Sequence, residues 1–501
     1  MALGRALSTL ALATWLAFGA SSAHADEPPK KRAPEPNYLR ALVEEGLIFT
    51  GGFIQYTTSS SNAVDHDLPT EWSTFRSKLI GTSVRFDTNH FDTNMMTHPL
   101  AGMLYYTAGR GNHLSTTESF LLAVGSSTFW EYIGEFREQA SANDMIVTPI
   151  SGFAIGETFT KLGMYFERSK RTPTNYVLST MFAPSMRVHS WMDGARTPAD
   201  PQNDTNGFSE EIEHRFTLRA GSGFYGGNQA KNVLADARFE MHSLLRDIPH
   251  NEEPGFHAFF LNDTSLSRID VRGAVGNQGL RDASFETVAV PFSFVANNLR
   301  VAGPHPLGEQ FLLGTSVGFH YETHAYPSML IAHRDRISAV HFGGVVAHYE
   351  QTRGPSTFRA GFEARPEFAA VQAFGARAYY LTNPDRATLP SIVLDEGYYY
   401  AVGLEVAPSI ALEVGKVTFG ADARFAFYSG IRGLARDQEQ LRNEASIRDR
   451  RVIQRAYVEI APTKTLNLRL GFERRVRLGD VRATSAQESE WAIEPTLGVA
   501  L

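Results

Sequence analysis

The strongest constraint on this chain is a strict alternation of apolar and polar residues in long runs, from about residue 176 to the end. In one run Phe358, Ala360 and Phe362 alternate with Arg359 and Glu363. Such alternation is typical of a β-strand in a sheet with one apolar and one polar face. Twelve runs share the pattern, beside weaker ones at 176–188 and 374–381, and the twelve lie at 216–221, 233–245, 269–275, 288–294, 311–321, 340–348, 358–368, 399–410, 416–428, 452–460, 466–473 and 491–501.

The length of the runs separates a membrane barrel from a soluble sandwich, whose strands also alternate. Many runs are 9 to 13 residues long, whereas a soluble strand usually has ~5–6 residues and a tilted strand needs ~9–11 to cross a bilayer. Turn-like segments at 249–254 and 383–386 separate the runs. Aromatic residues near predicted strand ends suggest interface girdles, and these are Tyr379, Tyr380, Tyr398, Tyr399, Tyr400 and Trp491. The pattern predicts an antiparallel outer-membrane β-barrel over 173–501, with 12 strands, or 10 or 14 as alternatives.

The polar face of these strands indicates what fills the barrel. It carries charges of both signs, namely Asp236, Arg238, Glu240, Asp270, Arg272, Arg359, Glu363, Arg365, Asp422, Arg424, Arg455, Glu459, Arg469 and Glu473. Opposite signs two residues apart would cross-link the lumen, whereas a ring of one sign would suggest an ion-selective pore. We expect a narrow, largely occluded interior. The alternative is a wide channel in which the same charges face water.

The first 25 residues have the order of a secretory signal peptide. Arg5 precedes an apolar run from Ala6 to Ala20, and Ala23-His24-Ala25 forms a cleavage site. The apolar run is shorter than the ~20 residues that a spanning helix needs, which disfavours a membrane anchor. We therefore predict export to the bacterial outer membrane.

Residues 36–172 have the pattern of a helical domain. Ser115-Thr116-Thr117-Glu118 is a capping box ahead of a helix to about Phe136. Thr148-Pro149 suggests the start of a second helix through Phe166, and a third covers 94–108. Small residues on these helices would allow close packing, and they are Gly102, Ala108, Gly125, Ser126, Gly152 and Gly156. The predicted segments are thus a signal peptide at 1–25, a linker at 26–35, a helical domain at 36–172 and a barrel at 173–501.

The helical segment also holds the most unusual residues of the chain. Its motifs are Asn94…His98-Pro99-xx-Gly102-xx-Tyr105-Tyr106…Arg110, Ser127-xx-Trp130-Glu131-Tyr132-xx-Glu135, Asn143-Asp144-xxx-Thr148-Pro149 and Gly156-Glu157. As a set, over about residues 40–190, they resemble the domain-of-unknown-function 3943 family of exported bacterial outer-membrane proteins. The resemblance implies an outer-membrane location and no particular activity.

These residues support more than one hypothesis. Glu131 and Glu135, four positions apart, share a helix face, and His98, Asp144 and Glu157 could converge on them as an acid–base pair or an oxygen-rich metal site. We take His98, Glu131, Glu135 and Asp144 as the candidate catalytic set. A structural or ligand-binding network would add Asn94, Tyr105, Arg110, Trp130, Asn143 and Glu157. In the purely structural alternative the acids and His98 neutralise Arg110 and satisfy backbone groups.

Several function classes are disfavoured. The chain has no Cys, which excludes disulfides, thiolate zinc sites and a Cys nucleophile, and its net charge of −7 gives no support for nucleic-acid binding. There is no G-x-S-x-G motif for a serine hydrolase.

The leading hypothesis is an outer-membrane barrel with a helical plug or periplasmic-mouth domain in an envelope structural or transport role. The alternative is an enzyme acting on envelope lipid or glycan through the helical site. Expected partners are outer-membrane lipid and the barrel-insertion machinery, while the sequence identifies no cofactor and no small-molecule ligand.

Overall fold

The computed structural model describes residues 35–58, 71–194, 197–227, 233–248, 254–301, 306–326, 334–386, 392–431 and 446–501. The predicted signal peptide, and the predicted linker as far as residue 34, lie outside the described residues. No helix of the described part is long and apolar enough to cross a membrane.

Twelve antiparallel strands form a closed barrel. Each strand pairs with the next one along the chain, and the last pairs with the first. The strands are β1 (Glu213–Gly227), β2 (Leu234–Arg246), β3 (Leu266–Gly276), β4 (Gly279–Val301), β5 (Leu307–His324), β6 (Asp335–Arg353), β7 (Ser356–Gln372), β8 (Tyr398–Val414), β9 (Val417–Gly430), β10 (Ile447–Ile460), β11 (Leu466–Val481) and β12 (Thr484–Ala500). A short side strand, Gly255–Leu261, pairs with the far half of β4. The predicted barrel of 12 strands is confirmed.

The twelve alternating runs correspond one to one to the twelve barrel strands, but the two weaker runs were wrong. Residues 176–188 lie in helices, because Pro173 and Pro184 each occupy a first helical turn and Thr172 caps the first helix by accepting from Asn175 N. Residues 374–381 form another helix, inside the barrel end. The first barrel strand therefore begins at Glu213 rather than near residue 173.

The two ends of the barrel differ. One end, the turn side, has short connections such as 354–355 and 415–416, and both β1 and β12 have their terminal ends there. The other end, the loop side, has long connections such as 325–334, 373–397 and 431–446. Bacterial outer-membrane barrels combine short periplasmic turns with longer extracellular loops.

Among the described residues, seven helices precede the barrel. They are α1 (Tyr38–Thr58), α2 (Trp72–Leu79), α3 (His98–Gly111), α4 (Thr116–Phe129), α5 (Asp144–Arg168), α6 (Pro173–Phe182) and α7 (Pro184–Met192), and π-helical turns at Thr93–Thr97 and Trp130–Gly134 flank α3 and α4. The loop between β7 and β8 contributes α8 (Phe374–Thr382) and α9 (Ile392–Asp395). The predicted capping box is present, since Glu118 N donates to Ser115 Oγ at 3.2 Å and Ser115 N donates to Glu118 at 2.8 Å. The predicted helix start at Thr148 was wrong, because α5 begins at Asp144 and contains Pro149.

The helical bundle packs against the outer wall of the barrel. The ring of Phe120 in α4 stacks on Phe342 of β6 at 5.3 Å, and Phe86 packs on Phe368 of β7. Phe368 faces outward, because its β8 partner Val402 is exposed on the barrel surface. The long buried helix α5 contacts β3, β4, β5 and β6. The bundle is thus neither the plug nor the mouth domain that we expected from the sequence.

Glycine sets the distance between α3 and α5. A Cβ atom on Gly102 would lie 1.9 Å from the backbone oxygen of Thr148, and one on Gly152 would lie 2.4 Å from the oxygen of Gly102. Gly156 is similarly close to the Tyr106 ring, at 2.7 Å. Gly125 faces open space, so the predicted role in close packing holds for the first three glycines only.

This contact generates a stability prediction. We expect Gly102→Ala to destabilise the bundle by ~1–3 kcal/mol or more, because the new methyl group overlaps backbone atoms that have little room to move. Gly125→Ala is the matched control and should be neutral or stabilising by up to ~1 kcal/mol. Thermal unfolding followed by the helical circular-dichroism signal measures both, and equal melting temperatures would contradict the close contact.

Candidate functional site

A buried polar cluster lies where the helical bundle meets the barrel. We call it the Asp87 cluster, and its members are Asp87, Asn94, His98, Asn143, Asp144, Tyr398 and Tyr400. Asp87 Oδ1 accepts hydrogen bonds from the Tyr400 hydroxyl at 3.0 Å, from Asn143 Nδ2 at 3.2 Å and from Asn94 Nδ2. Asn94 Nδ2 also donates to the Tyr400 hydroxyl at 2.7 Å. The Asp87 carboxylate therefore accepts hydrogen bonds from both the helical bundle and the barrel.

The barrel contributes its two tyrosines from the loop-side end of β8. Tyr398 and Tyr400 lie on the outward face of the strand, yet they are 0% and 2% exposed because the bundle covers them. The Tyr398 hydroxyl donates to the backbone oxygen of Asn89 at 2.7 Å. These two tyrosines were predicted to belong to an interface girdle, and they bind the helical domain instead.

His98 and Asp144 face each other at the start of α3 and α5. His98 Nε2 lies 3.6 Å from Asp144 Oδ2 and has no hydrogen-bond partner, while Asp144 Oδ1 accepts from Asn143 Nδ2 at 2.9 Å. Asp87, His98 and Asp144 each offer one possible metal-ligand atom, and the three atoms lie within 4.8 Å of one another. Of the three residues that could converge on Glu131 and Glu135, the structure brings His98 and Asp144 together, whereas Glu157 pairs with Arg110.

Burial dominates the electrostatics of this pair. It raises the pKa of the Asp144 carboxyl well above its usual range, and the negative charges of Asp87 and Glu131 raise it further. Burial also lowers the pKa of His98, against a smaller opposite effect of Asp87. Among the ion pairs of the described residues, none joins Asp87 or Asp144 to an arginine or lysine. Both shifts favour the uncharged form of the group concerned.

Glu131 and Glu135 form a neighbouring group of their own. Glu131 Oε2 accepts from Ser141 N at 2.7 Å, and Glu135 Oε1 accepts from Trp130 Nε1 at 3.0 Å. The ammonium group of Lys78 donates to the backbone oxygens of both glutamates, at 2.8 and 2.6 Å. Burial, and then the charge of Glu135, raise the pKa of Glu131 well above its usual range.

The remaining predicted network residues lie elsewhere in the bundle. Arg110 pairs with Glu157 at 2.9 Å, and the Tyr106 hydroxyl donates to Glu157 at 2.8 Å. Tyr105 packs against Phe49 of α1, which also stacks with Trp130. Arg110 therefore neutralises Glu157 and does not reach the Asp87 cluster.

Sequence reasoning did not assign three of the participating residues to this site. Asp87 stands in the polar run before α3 but was not assigned a role, and Tyr398 and Tyr400 are some three hundred positions further along the chain. No local pattern connects such distant segments, because their contact depends on where the bundle docks.

The inner face of the barrel holds the charges that the alternation predicted to face the lumen. Several ion pairs join strands that are not neighbours: Arg268 of β3 with Glu363 of β7 at 2.6 Å, and Arg365 of β7 with Glu286 of β4 at 2.9 Å. Arg475 of β11 likewise reaches Asp282 of β4 at 3.1 Å. Because such pairs bridge the lumen, they hold opposite walls of the barrel together.

The other predicted lumen residues pair on the same face. Their contacts are Asp236 with Arg238 (2.8 Å), Asp270 with Arg268 (3.0 Å), Glu240 with Arg272 (3.9 Å), Arg359 with Glu350 (3.0 Å), Asp422 with Arg455 (3.4 Å), Arg424 with Glu286 (2.5 Å), Glu459 with Arg219 (2.7 Å), Glu473 with Arg455 (2.6 Å), and Arg469 over the Tyr457 ring (3.7 Å).

The lumen narrows towards the loop side. A cavity of about 210 Å³ occupies its turn-side half and one of about 190 Å³ its middle, but the loop-side cavity has only about 30 Å³. There Arg477 contacts Asp335 and Asp449, and its guanidinium lies over Phe374 of α8. A Cβ atom on Gly375 of α8 would lie 2.7 Å from the oxygen of Gly479, so helix and wall are in direct backbone contact.

Comparison with known proteins identifies the helical segment. Residues 83–186 match the family model described as "Domain of unknown function (DUF3943)". This segment is therefore similar to the DUF3943 domain. The match confirms the resemblance inferred from the motifs, and it covers the Asp87 cluster except for its two tyrosines. No curated protein is similar in sequence to the chain.

Solved structures similar to the chain are outer-membrane barrels. They include OmpT of Vibrio cholerae with loop L8 deleted (8% identity, 58% of this chain and 99% of that chain covered, TM-score 0.20). Others are an outer-membrane channel of Pseudomonas putida F1 (7%, 60% and 100%, 0.25) and the translocator domain of the autotransporter NalP of Neisseria meningitidis (10%, 65% and 97%, 0.20). Scores this low carry no functional inference.

The raised pKa values generate a pH prediction. A carboxyl group whose pKa is higher in the fold than in the unfolded chain binds a proton on folding, so stability falls as pH rises above the unfolded value. We expect the bundle to melt at a lower temperature at about pH 8 than at about pH 5. Glu131→Gln should reduce this fall, because glutamine cannot ionise and its oxygen can still accept from Ser141 N.

The matched control is Glu71→Gln, at an exposed position just before α2. It should leave the pH dependence of the melting temperature unchanged. A Glu131→Gln protein with the full wild-type fall in melting temperature would show that Glu131 does not contribute to it.

Proposed function

We propose that this protein is a sealed, non-conducting outer-membrane barrel that serves as a structural scaffold for the helical domain on its outer wall. The supporting observation is the set of ion pairs across the lumen, above all those of Arg268, Arg365 and Arg475. Ion pairs that cross the lumen restrict the passage of water and ions through it, and α8 narrows its loop-side end. Transport through the lumen is therefore the less favoured part of the structural-or-transport hypothesis.

Single-channel recording in planar bilayers tests this function. The wild-type protein should give no steady conductance. Arg365→Gln should give a measurable leak, because Glu286, Glu363 and Glu405 lose their shared cation and draw water into the lumen. Removing one partner of a buried pair also costs ~3–5 kcal/mol, so the variant should unfold at lower temperature.

Arg450→Gln is the matched control. Arg450 pairs with Asp480 at 2.8 Å but is half exposed near the loop-side end of β10, so its loss should change neither conductance nor stability measurably. Steady conductance of the wild-type barrel, like that of an open porin, would refute the sealed-lumen proposal.

A second candidate function is an acid–base or divalent-metal site acting on envelope lipid. The observation in its favour is His98 Nε2, which lacks a hydrogen-bond partner and lies next to Asp144. Imidazole and carboxylate oxygens are suitable ligands for zinc and similar ions, and the same groups can transfer a proton. The Asp87 cluster lies between the outer wall and the bundle, and the His98 side chain, at 16% exposure, is its most accessible member.

Mass spectrometry of outer-membrane lipids incubated with the purified protein tests this candidate. If the site is catalytic, His98→Ala abolishes any change that the wild type makes in the lipids while the barrel keeps its heat-modifiable gel mobility. His90→Ala is the control, because His90 is mostly exposed and pairs with Glu396. If the wild type leaves all lipids unchanged and His98→Ala only lowers the melting temperature, the cluster is structural.

A further inference from the structure

The exposed face of the helical bundle has an inverted distribution of polar and apolar residues. In α1 the buried positions are Ala41 and Glu45, and Glu45 accepts a hydrogen bond from Ser126 Oγ at 2.9 Å. Most exposed positions of the same helix are apolar, and none is charged. The large apolar residues among them include Leu39, Leu42, Val43, Leu47, Phe53 and Ile54. A helix at a water surface has the opposite pattern, with its apolar stripe turned inward.

The neighbouring helices continue this apolar surface. Leu100 and Leu104 of α3 and Leu121 and Phe129 of α4 are exposed. Within 38–58 and 93–134, all of which the structure describes, no exposed position carries a charged residue. An exposed apolar surface of this extent needs an occupant other than water.

The outer surface of the barrel indicates what covers this face of the bundle, because the two apolar surfaces are continuous. The outward face of the strands beyond the bundle is also exposed and apolar, with residues such as Leu404, Ile410, Phe419, Leu470 and Phe472. This is the lipid-facing surface of an outer-membrane barrel. Phe342 belongs to both surfaces, because it is half exposed on β6 and stacks on Phe120 of the bundle.

The dimensions and the charges of the bundle agree with the thickness of a bilayer. The helix α1 is not apolar enough to cross a membrane by itself, because one of its faces is polar and packs on the bundle. Its 21 residues extend about 31 Å at ~1.5 Å per residue, close to the ~30 Å of the hydrocarbon core. Charged groups gather at the two ends. Arg40 pairs with Asp193 at the turn side, whereas the exposed Asp92 and His90 lie at the loop side.

We propose that the free face of α1, α3 and α4 contacts the acyl chains of the outer membrane, so that the helical domain sits within the bilayer beside the barrel. The surface is a continuation of the barrel's lipid-facing belt. This inference does not depend on whether the lumen conducts or on any activity of the Asp87 cluster.

Single cysteines provide a direct test, because the chain has no cysteine of its own. Leu47→Cys on α1 and Leu121→Cys on α4 each receive a fluorescent label in the full chain, which is then reconstituted in phosphatidylcholine vesicles with nitroxides on the acyl chains. Leu470→Cys, on the outward face of β11, is the lipid-facing control, and Lys464→Cys, in an exposed turn, is the water-facing control. Heat-modifiable gel mobility verifies that each variant is folded.

We expect the acyl-chain nitroxides to quench both bundle labels to within about twofold of Leu470→Cys and at least about threefold more than Lys464→Cys. Quenching at the level of Lys464→Cys would place this face in water and overturn the proposal. Weak quenching together with an oxidant-induced disulfide dimer of Leu47→Cys would also overturn it, because a second copy of the chain would then cover the face.

Discussion

Every other feature of this protein depends on the hydrogen-bonded closure of its twelve strands. In the hydrocarbon of a bilayer no water satisfies backbone polar groups, so a spanning sheet must have no free edge. Here the pairing of β12 with β1, from Glu490–Gly227 to Ala500–Thr217, completes the ring. A closed wall then has two faces with opposite requirements, and the period of two residues along each strand assigns every side chain to one of them.

The charged side chains of the inner face need partners, whereas the apolar side chains of the outer face do not. Charged residues inside a narrow barrel lose their hydration, and a buried charge without a partner is costly. Arg365 forms ion pairs with three carboxylates, those of Glu286, Glu363 and Glu405, which lie on three different strands. The outer face carries apolar residues that need no such partners, so it can accept either lipid or protein. That freedom is what allows a helical domain to dock on the outside of a barrel.

The sequence predicted most of the barrel because alternation is a local signal. It also indicated the strand number, the inward charges, and His98 and Asp144 as members of one candidate set. It failed where the relevant contact is distant in the sequence, as at α8, which packs in close backbone contact with the lumen wall at Gly479. The docking site of the bundle was equally unpredictable. Phe368 is covered by Phe86, whereas Phe358, on the same face of the strand, is exposed. The alternating pattern does not distinguish the two residues.

The Asp87 cluster explains how two apolar surfaces can dock in a single orientation. Apolar contacts between the bundle and the wall are non-directional, so by themselves they would tolerate sliding along the strands. The hydroxyls of Tyr398 and Tyr400 add directional hydrogen bonds to Asn89 and Asp87 at one height on β8. A shift of one residue along β8 would turn these hydroxyls away from the bundle and leave a buried carboxylate with fewer donors. The cluster therefore fixes the register between a helical domain and a barrel wall, and this role stands whether or not the same groups also bind a metal ion or transfer a proton.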